Sequence, residues 1–164
     1  MNIARYQISL DAPIAAVWKF HESARAALPL LAPLGSDPHL ELVDEPQRVG
    51  ARVVIVAKGP LGKKMRWAAR YETFEPPHIC SDGKTRARFV DIQDSGPFKY
   101  WRHEHLMESV TETTATLTDT IEYIVPLGFL GNLANTLFVR RQLDQMFAHR
   151  HRVTREQVMK HVSA

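Results

Sequence analysis

The sequence contains a single cysteine, Cys80, which excludes an internal disulfide and agrees with a reducing, cytoplasmic location. It has no uninterrupted apolar stretch of about 18 residues, the length that a membrane-spanning helix needs. Met1 to Tyr6 alternate between polar and apolar residues and lack the apolar core of a signal peptide. Internal repeats, low-complexity segments and linkers are also missing, so residues 1–164 are expected to form one domain.

A large excess of charge is lacking too, because the formal net charge is only +3. The cations are nevertheless concentrated in the last quarter of the chain, where they include Arg140, Arg141, Arg150, Arg152, Arg155 and Lys160. A nucleic-acid interface is typically marked by interleaved aromatic residues or a recognised motif, and neither accompanies these charges. We interpret them as cations on the solvated face of a helix and near its C-terminus, where they complement the helix dipole, and expect no nucleic-acid partner.

Alternation of apolar and polar residues with period two runs through most of the chain and predicts seven strands. The first is Asn2 to Leu10, and the other six are expected at 39–44, 51–58, 63–74, 86–93, 99–110 and 114–125. Turn residues separate them, including the stretch from Pro76-Pro77 to Gly83 between the fourth and fifth strands. Connections this short imply antiparallel pairing, because a parallel crossover needs about a dozen residues or more.

Two short helices and one long helix complete the pattern. Asp11 is expected to cap a first helix with Pro13 in its first turn, and Ser23 to cap a second helix from Ala24 to Leu31. The stretch from about Asn132 to Val162 lacks proline and glycine, so it predicts a helix ~45 Å long. Its buried face is expected to comprise Val139, Leu143, Met146, Phe147 and Val153. A curved sheet wrapped around this helix would bury that face.

This order of elements resembles the START/Bet v 1-like superfamily. The stretch from Phe89 to His105 is the most specific part, since Phe89-Val90-Asp91-Ile92-Gln93, Gly96-Pro97-Phe98 and Trp101-Arg102-His103-Glu104-His105 are similar to bacterial SRPBCC proteins of the polyketide cyclase/dehydrase-like kind. The likeness covers nearly the whole chain. It implies an α+β helix-grip fold, with a seven-stranded curved antiparallel sheet around a long C-terminal helix in the order β-α-α-β6-α.

The resemblance implies a container for a small hydrophobic or amphipathic molecule between the sheet and the C-terminal helix, in a carrier, sensor or chaperone role. It transfers no universal catalytic residues and implies no cofactor. Loops around Leu61 and Phe98 correspond to segments that gate the cavity in related folds, although both also fit ordinary hairpin turns. Because some relatives carry a fused epimerase-like domain, an epimerase-like enzyme is a functional partner to expect by family analogy.

Strand parity identifies the expected cavity residues, because side chains two apart share a face. Faces rich in long charged side chains should meet solvent, and faces rich in aromatic residues should line the cavity. The expected ligand-binding residues are Trp67, Tyr71, Phe89, Asp91, Gln93, Trp101, His103, His105, Asp119 and Tyr123. An apolar cavity with a few polar groups is typical of small-molecule sites. The alternative is structural: these polar groups satisfy one another as hydrogen-bonded His–Asp pairs.

Two chemical alternatives depend on the same polar residues. His103-x-His105 places two imidazoles on one strand face, and Asp119 or Asp91 would supply a third metal ligand. Because His-x-His alone is common by chance, we expect no bound metal. An imidazole tuned by a carboxylate can act as a general acid–base, so a cyclase, dehydratase or hydrolase using His103, His105 and Asp119 is the alternative to binding alone.

Overall fold

The computed structural model describes residues 1–33, 35–59, 62–126 and 138–162. Within these ranges the chain forms the expected α+β helix-grip architecture. The strands are β1 Asn2–Leu10, β2 His39–Val43, β3 Arg52–Lys58, β4 Lys64–Ile79, β5 Thr85–Ser95, β6 Tyr100–Ser109 and β7 Ala115–Ile124. The helices are α1 Ile14–His21, α2 Ala24–Leu31 and α3 Arg140–Val162.

The strands form one curved antiparallel sheet in the order β1-β7-β6-β5-β4-β3-β2. From β2 to β7 each strand pairs with the next along the chain, as the short connections predict. β1 completes the sheet by pairing with β7, where Asn2 lies opposite Tyr123 and Leu10 lies opposite Ala115. The chain therefore crosses from one edge of the sheet to the other between β1 and β2, and α1 and α2 make that crossing.

The strand β4 is longer than the sequence pattern predicts. Pro76 and Pro77 were expected in the turn before β5, but the strand continues through both to Ile79, so that prediction is wrong. The pairing of β4 with β5 shifts register between Glu75 and His78. The prolines thus occupy an irregular stretch of the ladder, where their missing N–H groups break no regular hydrogen bond.

The two short helices begin differently. Ser23 caps α2 as predicted, because its hydroxyl accepts a hydrogen bond from the Ala26 amide at 3.3 Å. Asp11 does not cap α1: the N-cap residue is Pro13, and no side chain among the described residues bonds to that end of the helix, so the prediction of an Asp11 cap is wrong. Burial of Val17 and Trp18 against the core stabilises α1 in place of a cap.

The helix α3 lies over the sheet and contacts α1, α2 and β1. Its predicted start near Asn132 lies outside the described residues, and its end at Val162 agrees with the prediction. Leu143, Phe147 and Val153 are buried, and Val139 and Met146 are half-buried against the core, which confirms the gripped face. None of the described helices has the length and hydropathy needed to span a membrane.

Candidate functional site

A cavity with a volume of about 230 Å³ lies between the sheet and the helices α2 and α3. Strands β3 to β6 form its floor, α2 covers one side, and Met146 and Arg150 of α3 contribute to another. Alternate side chains of these strands point to the cavity face of the sheet, and many of them are apolar or aromatic. Most of the lining surface is therefore apolar.

Seven of the ten residues expected to bind a ligand line this cavity: Trp67, Tyr71, Phe89, Asp91, Trp101, His103 and His105. In the part of the chain that the structure describes, Gln93, Asp119 and Tyr123 are not part of the lining. Asp119 and Tyr123 are buried behind it on β7, next to β6. The structure therefore separates a layer that faces the cavity from a layer that supports it.

Gln93 holds the loop between β5 and β6. Its amide nitrogen donates to the Phe98 carbonyl at 2.7 Å, and its amide oxygen accepts from the Phe98 N–H at 3.4 Å. A Cβ at Gly96 would collide with this amide, so glycine lets the loop close over Gln93. The Phe98 ring packs 4.9 Å from that of Trp101. The gating role of Phe98 stays a prediction, and Leu61, the other expected gate residue, lies outside the described residues.

Asp119 is the centre of a buried polar cluster. Strand pairing places it opposite His105 on β6, and its Oδ1 accepts from His105 Nδ1 and His103 Nε2, each at 2.9 Å. Its Oδ2 accepts from Nε2 of His151 on α3 at 2.8 Å. Because a carboxylate has room for about four donors, it accommodates all three. A single side chain thus orients three imidazoles and connects α3 to the sheet.

Asp91 approaches two of these imidazoles from the cavity side. It pairs with His103 in the β5–β6 ladder, and its Oδ1 lies 3.6 Å from His103 Nδ1 and 3.3 Å from His105 Nε2. The Asp91 side chain is 22% exposed, against 4% for Asp119. The Phe89 ring stacks on His105 with 4.0 Å between ring centroids. The two imidazoles therefore lie between a buried carboxylate and a cavity-facing one.

These contacts set the charges of the cluster. Burial disfavours a charge on Asp119, but hydrogen bonds from His103, His105 and His151 outweigh it and hold its pKa well below the ordinary value. A similar balance lowers the pKa of Asp91. Burial, followed by repulsion from His105, lowers the pKa of His103 to about 4. Burial also opposes a charge on His105, but its bonds to the two carboxylates prevail and raise its pKa.

The sequence-based prediction missed seven polar residues at or beside the cavity. They are His21, Ser36, Gln47, Lys58, Arg70, Arg150 and His151. His151 follows Phe147 by four residues and so shares the buried face of α3, a signal present in the helical spacing. Ser36 and Gln47 lie in loops, where no periodicity indicates which side chains turn inward.

Gln47 and Ser36 have buried polar atoms that no described residue bonds. Gln47 is 7% exposed and Ser36 is 6% exposed, and both line the cavity. Among the described residues, neither the two amide atoms of Gln47 nor the Ser36 hydroxyl has a hydrogen-bond partner. A buried polar group left in this way costs about 1–3 kcal/mol. The cavity therefore presents polar groups that the described part of the protein does not satisfy.

His21 gives the protein a testable pH dependence. Its Nδ1 donates to the Val17 carbonyl at 2.8 Å, and burial, opposed by that bond and reinforced by His105, lowers its pKa to about 4 from the ordinary 6.5. As the pH falls from 6.5 towards 4, the unfolded chain takes up this proton before the folded protein does, so the folded state loses stability. When the pH is lowered from about 7 to 5, the free energy of unfolding of His21→Leu should fall by ~2 kcal/mol less than that of the wild type.

Urea denaturation at the two pH values measures this difference. His103, whose pKa is also about 4, is present in both proteins, so its contribution cancels in the comparison. Equal losses of stability in wild type and His21→Leu would mean that the His21 imidazole titrates normally in the folded protein.

Asp91, His103 and His105 also form a set with metal-binding chemistry. One ligand atom from each lies within 4.8 Å of the others. Two imidazole nitrogens and one carboxylate oxygen suit zinc and other divalent transition metals. All three side chains face the cavity, so an ion held between them would be reachable from it.

No protein-family model matches the sequence, and no curated protein matches it. Solved structures match it over almost its whole length. The Zhui aromatase/cyclase from Streptomyces sp. R1128 aligns with a TM-score of 0.72 at 11% identity, covering 98% of this chain and 95% of that chain. A point mutant of norcoclaurine synthase from Thalictrum flavum aligns with a TM-score of 0.65 at 14% identity, over 98% and 95%.

A START superfamily protein from Mycobacterium smegmatis aligns with a TM-score of 0.66 at 8% identity, covering 96% of this chain and 97% of that chain. The structural alignments establish a common fold. At identities this low they do not establish a common activity, which has to be argued from the site. The chain therefore shares the helix-grip fold of these three structures, which is the fold that the resemblance in its sequence implies.

Proposed function

We propose that the protein binds a small amphipathic molecule in the cavity between the sheet and α3, as a carrier, sensor or chaperone. One observation carries the proposal: the Gln47 amide is buried, lines an otherwise mainly apolar cavity and has no hydrogen-bond partner among the described residues. An amide in that position gains a donor and an acceptor partner when a ligand with a polar group enters, because no described residue competes for it.

The cavity volume limits the size of the ligand. At about 230 Å³ it lies below the range of ~300–1,000 Å³ found for drug-sized ligands. This favours a compact molecule with one or two rings over a long-chain lipid. The aromatic residues Trp67 and Trp101, whose ring centroids are 4.9 Å apart in an edge-to-face arrangement, offer flat apolar surface to such a ring system.

Polar groups of the lining favour a ligand with a polar or anionic end. Arg150 contributes a cation to the cavity wall, and its guanidinium lies 5.4 Å above the Phe147 ring. The described residues form no ion pair with Arg150 of the kind found for Arg152, which pairs with Glu156 at 3.0 Å. An arginine without a carboxylate partner remains available to an anionic group of a ligand.

The proposal is tested with a fluorescent naphthalene dye bearing a sulfonate, as an amphipathic probe. We expect micromolar binding, about −8 kcal/mol. Gln47→Leu should weaken dye binding and raise the free energy of unfolding of the free protein by ~1–3 kcal/mol, because an unpaired buried amide is removed. Trp101→Ala should weaken dye binding tenfold or more. Circular dichroism checks that each variant is folded.

The matched control is Gln145→Leu, which changes an exposed glutamine of α3 and should alter neither binding nor stability by much. A Gln47→Leu variant that is less stable than wild type, with unchanged dye affinity, would identify Gln47 as a structural residue. If the wild-type protein did not bind the dye, the proposal that the cavity binds an amphipathic molecule would be contradicted.

A second candidate, catalysis of the cyclase, dehydratase or hydrolase kind, rests on the position of His105. Its imidazole lines the cavity and contacts both Asp91 and Asp119, which is an arrangement suited to general acid–base chemistry. Two proteins with the same fold are named as an aromatase/cyclase and a norcoclaurine synthase. Recovery of bound compounds unchanged in mass and structure after incubation favours binding, and a His105-dependent change favours catalysis.

A further inference from the structure

We propose that Asp91, His103 and His105 bind one divalent transition-metal ion of the zinc type, with an open coordination position facing the cavity. The inference does not depend on the identity of the ligand proposed above. It also replaces our expectation from the sequence that the site is metal-free, because the sequence shows a His-x-His pair and not the surroundings of its four ring nitrogens.

Distances among the ligand atoms fit a tetrahedral ion. Ligands at ~2.0–2.1 Å from a zinc ion lie ~3.3 Å from one another in a tetrahedron. Asp91 Oδ1 lies 3.3 Å from His105 Nε2 and 3.6 Å from His103 Nδ1. The three ligand atoms stay within 4.8 Å of one another, so small side-chain rotations suffice to complete the site.

The second nitrogen of each imidazole is already held by a carboxylate. Asp119 Oδ1 accepts from His103 Nε2 and His105 Nδ1 at 2.9 Å. Metal-bound histidines in proteins almost always donate their other ring N–H to such an acceptor, which fixes the ring and its tautomer. Asp119 is in turn held by His151 at 2.8 Å. The supporting shell of a metal site is thus present on two strands and a helix.

The orientation of His103 supplies a further argument. With its proton on Nε2 bonded to Asp119, a neutral His103 turns the lone pair of Nδ1 toward the Asp91 carboxylate at 3.6 Å. Two electron-rich atoms facing each other in a buried place repel, and a cation between them turns this repulsion into attraction. The geometry is that of two ligands converging on a common point.

Three protein ligands leave one position of a tetrahedral ion free, as in zinc sites that bind a water or a substrate. The three ligand residues all line the cavity, so this position is filled from there, by water or by a polar atom of a bound molecule. Asp91, with its side chain 22% exposed, is the most exposed of the three ligands.

The test begins with protein stripped of metal by a chelator. Zinc titrated by calorimetry should bind at one ion per chain, and cobalt in its place should give the visible absorption of a four-coordinate ion. Asp91→Asn and His103→Gln should each weaken binding at least a hundredfold, while His78→Ala, a change at an exposed histidine of β4, should leave it unchanged. Circular dichroism checks that each variant is folded.

No stoichiometric zinc at high micromolar concentration would overturn the proposal. So would one equivalent bound equally well by Asp91→Asn and His103→Gln, because the ion would then lie elsewhere. Dye binding measured on the same metal-free protein separates this outcome from failure of the proposed function, since the dye requires the cavity and not the ion.

Discussion

Replacing Phe147 with alanine should lower the free energy of unfolding by ~3–5 kcal/mol. Phe147 has no exposed surface and lies where α3 meets the sheet. Its ring stacks on Tyr6 of β1 with 4.5 Å between centroids and 7° between planes, and it meets His103 of β6 edge-on at 5.4 Å. The substitution therefore removes contacts to two strands that are distant in the sequence and leaves a cavity at the centre of the grip.

Thermal unfolding and urea denaturation measure the effect. For a chain of this size the loss corresponds to a fall of ~6–20 °C in the melting temperature. Phe138→Ala is the matched control, because that phenylalanine precedes the same helix and is 51% exposed. It should change stability by less than ~0.5 kcal/mol. Similar small effects of both substitutions would mean that α3 does not depend on this face for its attachment to the sheet.

The sequence predicts the sheet well because one physical signal dominates it. Each strand is half-buried, so apolar and polar residues alternate and turn residues mark the ends. In β6 the buried residues are Trp101, His103, His105 and Met107, every second position. Pro76 and Pro77 are the exception, since proline is typical of turns and also of irregular places in a ladder. Only pairing with a partner strand separates these two cases.

The candidate site was predictable as far as it lies on strands. Parity assigns Trp101, His103 and His105 to one face, and the structure places all three in the cavity lining. Parity within one strand does not indicate which carboxylate meets which imidazole, because that depends on the register between strands. Asp119 therefore appears in the sequence as a ligand-contacting residue, whereas the β6–β7 pairing makes it the support behind His105.

The contributions of helices and loops were harder to foresee. Arg150 is one of the cations interpreted from the sequence as part of a solvated face, and His151 is its neighbour in the same basic run. Both nevertheless turn inward on α3. The spacing of four residues from Phe147 to His151 is visible in the sequence, but a polar residue in a basic run gives no separate sign that it is buried. Gln47 carries no periodic signal at all, so its burial beside the cavity follows only from the path of the loop after β2.

Replacing Asp119 with leucine should destabilise the metal-free protein by ~3–5 kcal/mol. Leucine fills a similar volume but accepts no hydrogen bond, so the N–H groups of His103, His105 and His151 lose their common partner. Each imidazole is then left polar and buried. Asp119→Asn should lower the free energy of unfolding by less, about 1–3 kcal/mol. The amide oxygen still accepts hydrogen bonds from His103 and His105 of β6, and His151 can change its tautomer to face the new amide.

The pKa of His105 provides a second readout. Its bonds to Asp119 and Asp91 raise that pKa against the effect of burial, so Asp119→Asn should make the imidazole titrate at lower pH, as followed by NMR of its ring protons. Asp91→Asn is the comparison within the same cluster: it removes the acceptor on the cavity side, whose side chain is 22% exposed. It should lower the His105 pKa while destabilising the fold less than Asp119→Leu does.

A double-mutant cycle tests whether Asp119 also attaches α3 to the sheet. The bond from His151 Nε2 to Asp119 Oδ2, at 2.8 Å, joins the helix to β7. If this bond contributes to that attachment, Asp119→Leu and His151→Leu should show a coupling energy of ~0.5–3 kcal/mol in urea denaturation. Additive losses would mean that Asp119 stabilises only the imidazoles of β6, and that apolar contacts such as those of Phe147 hold the helix without it.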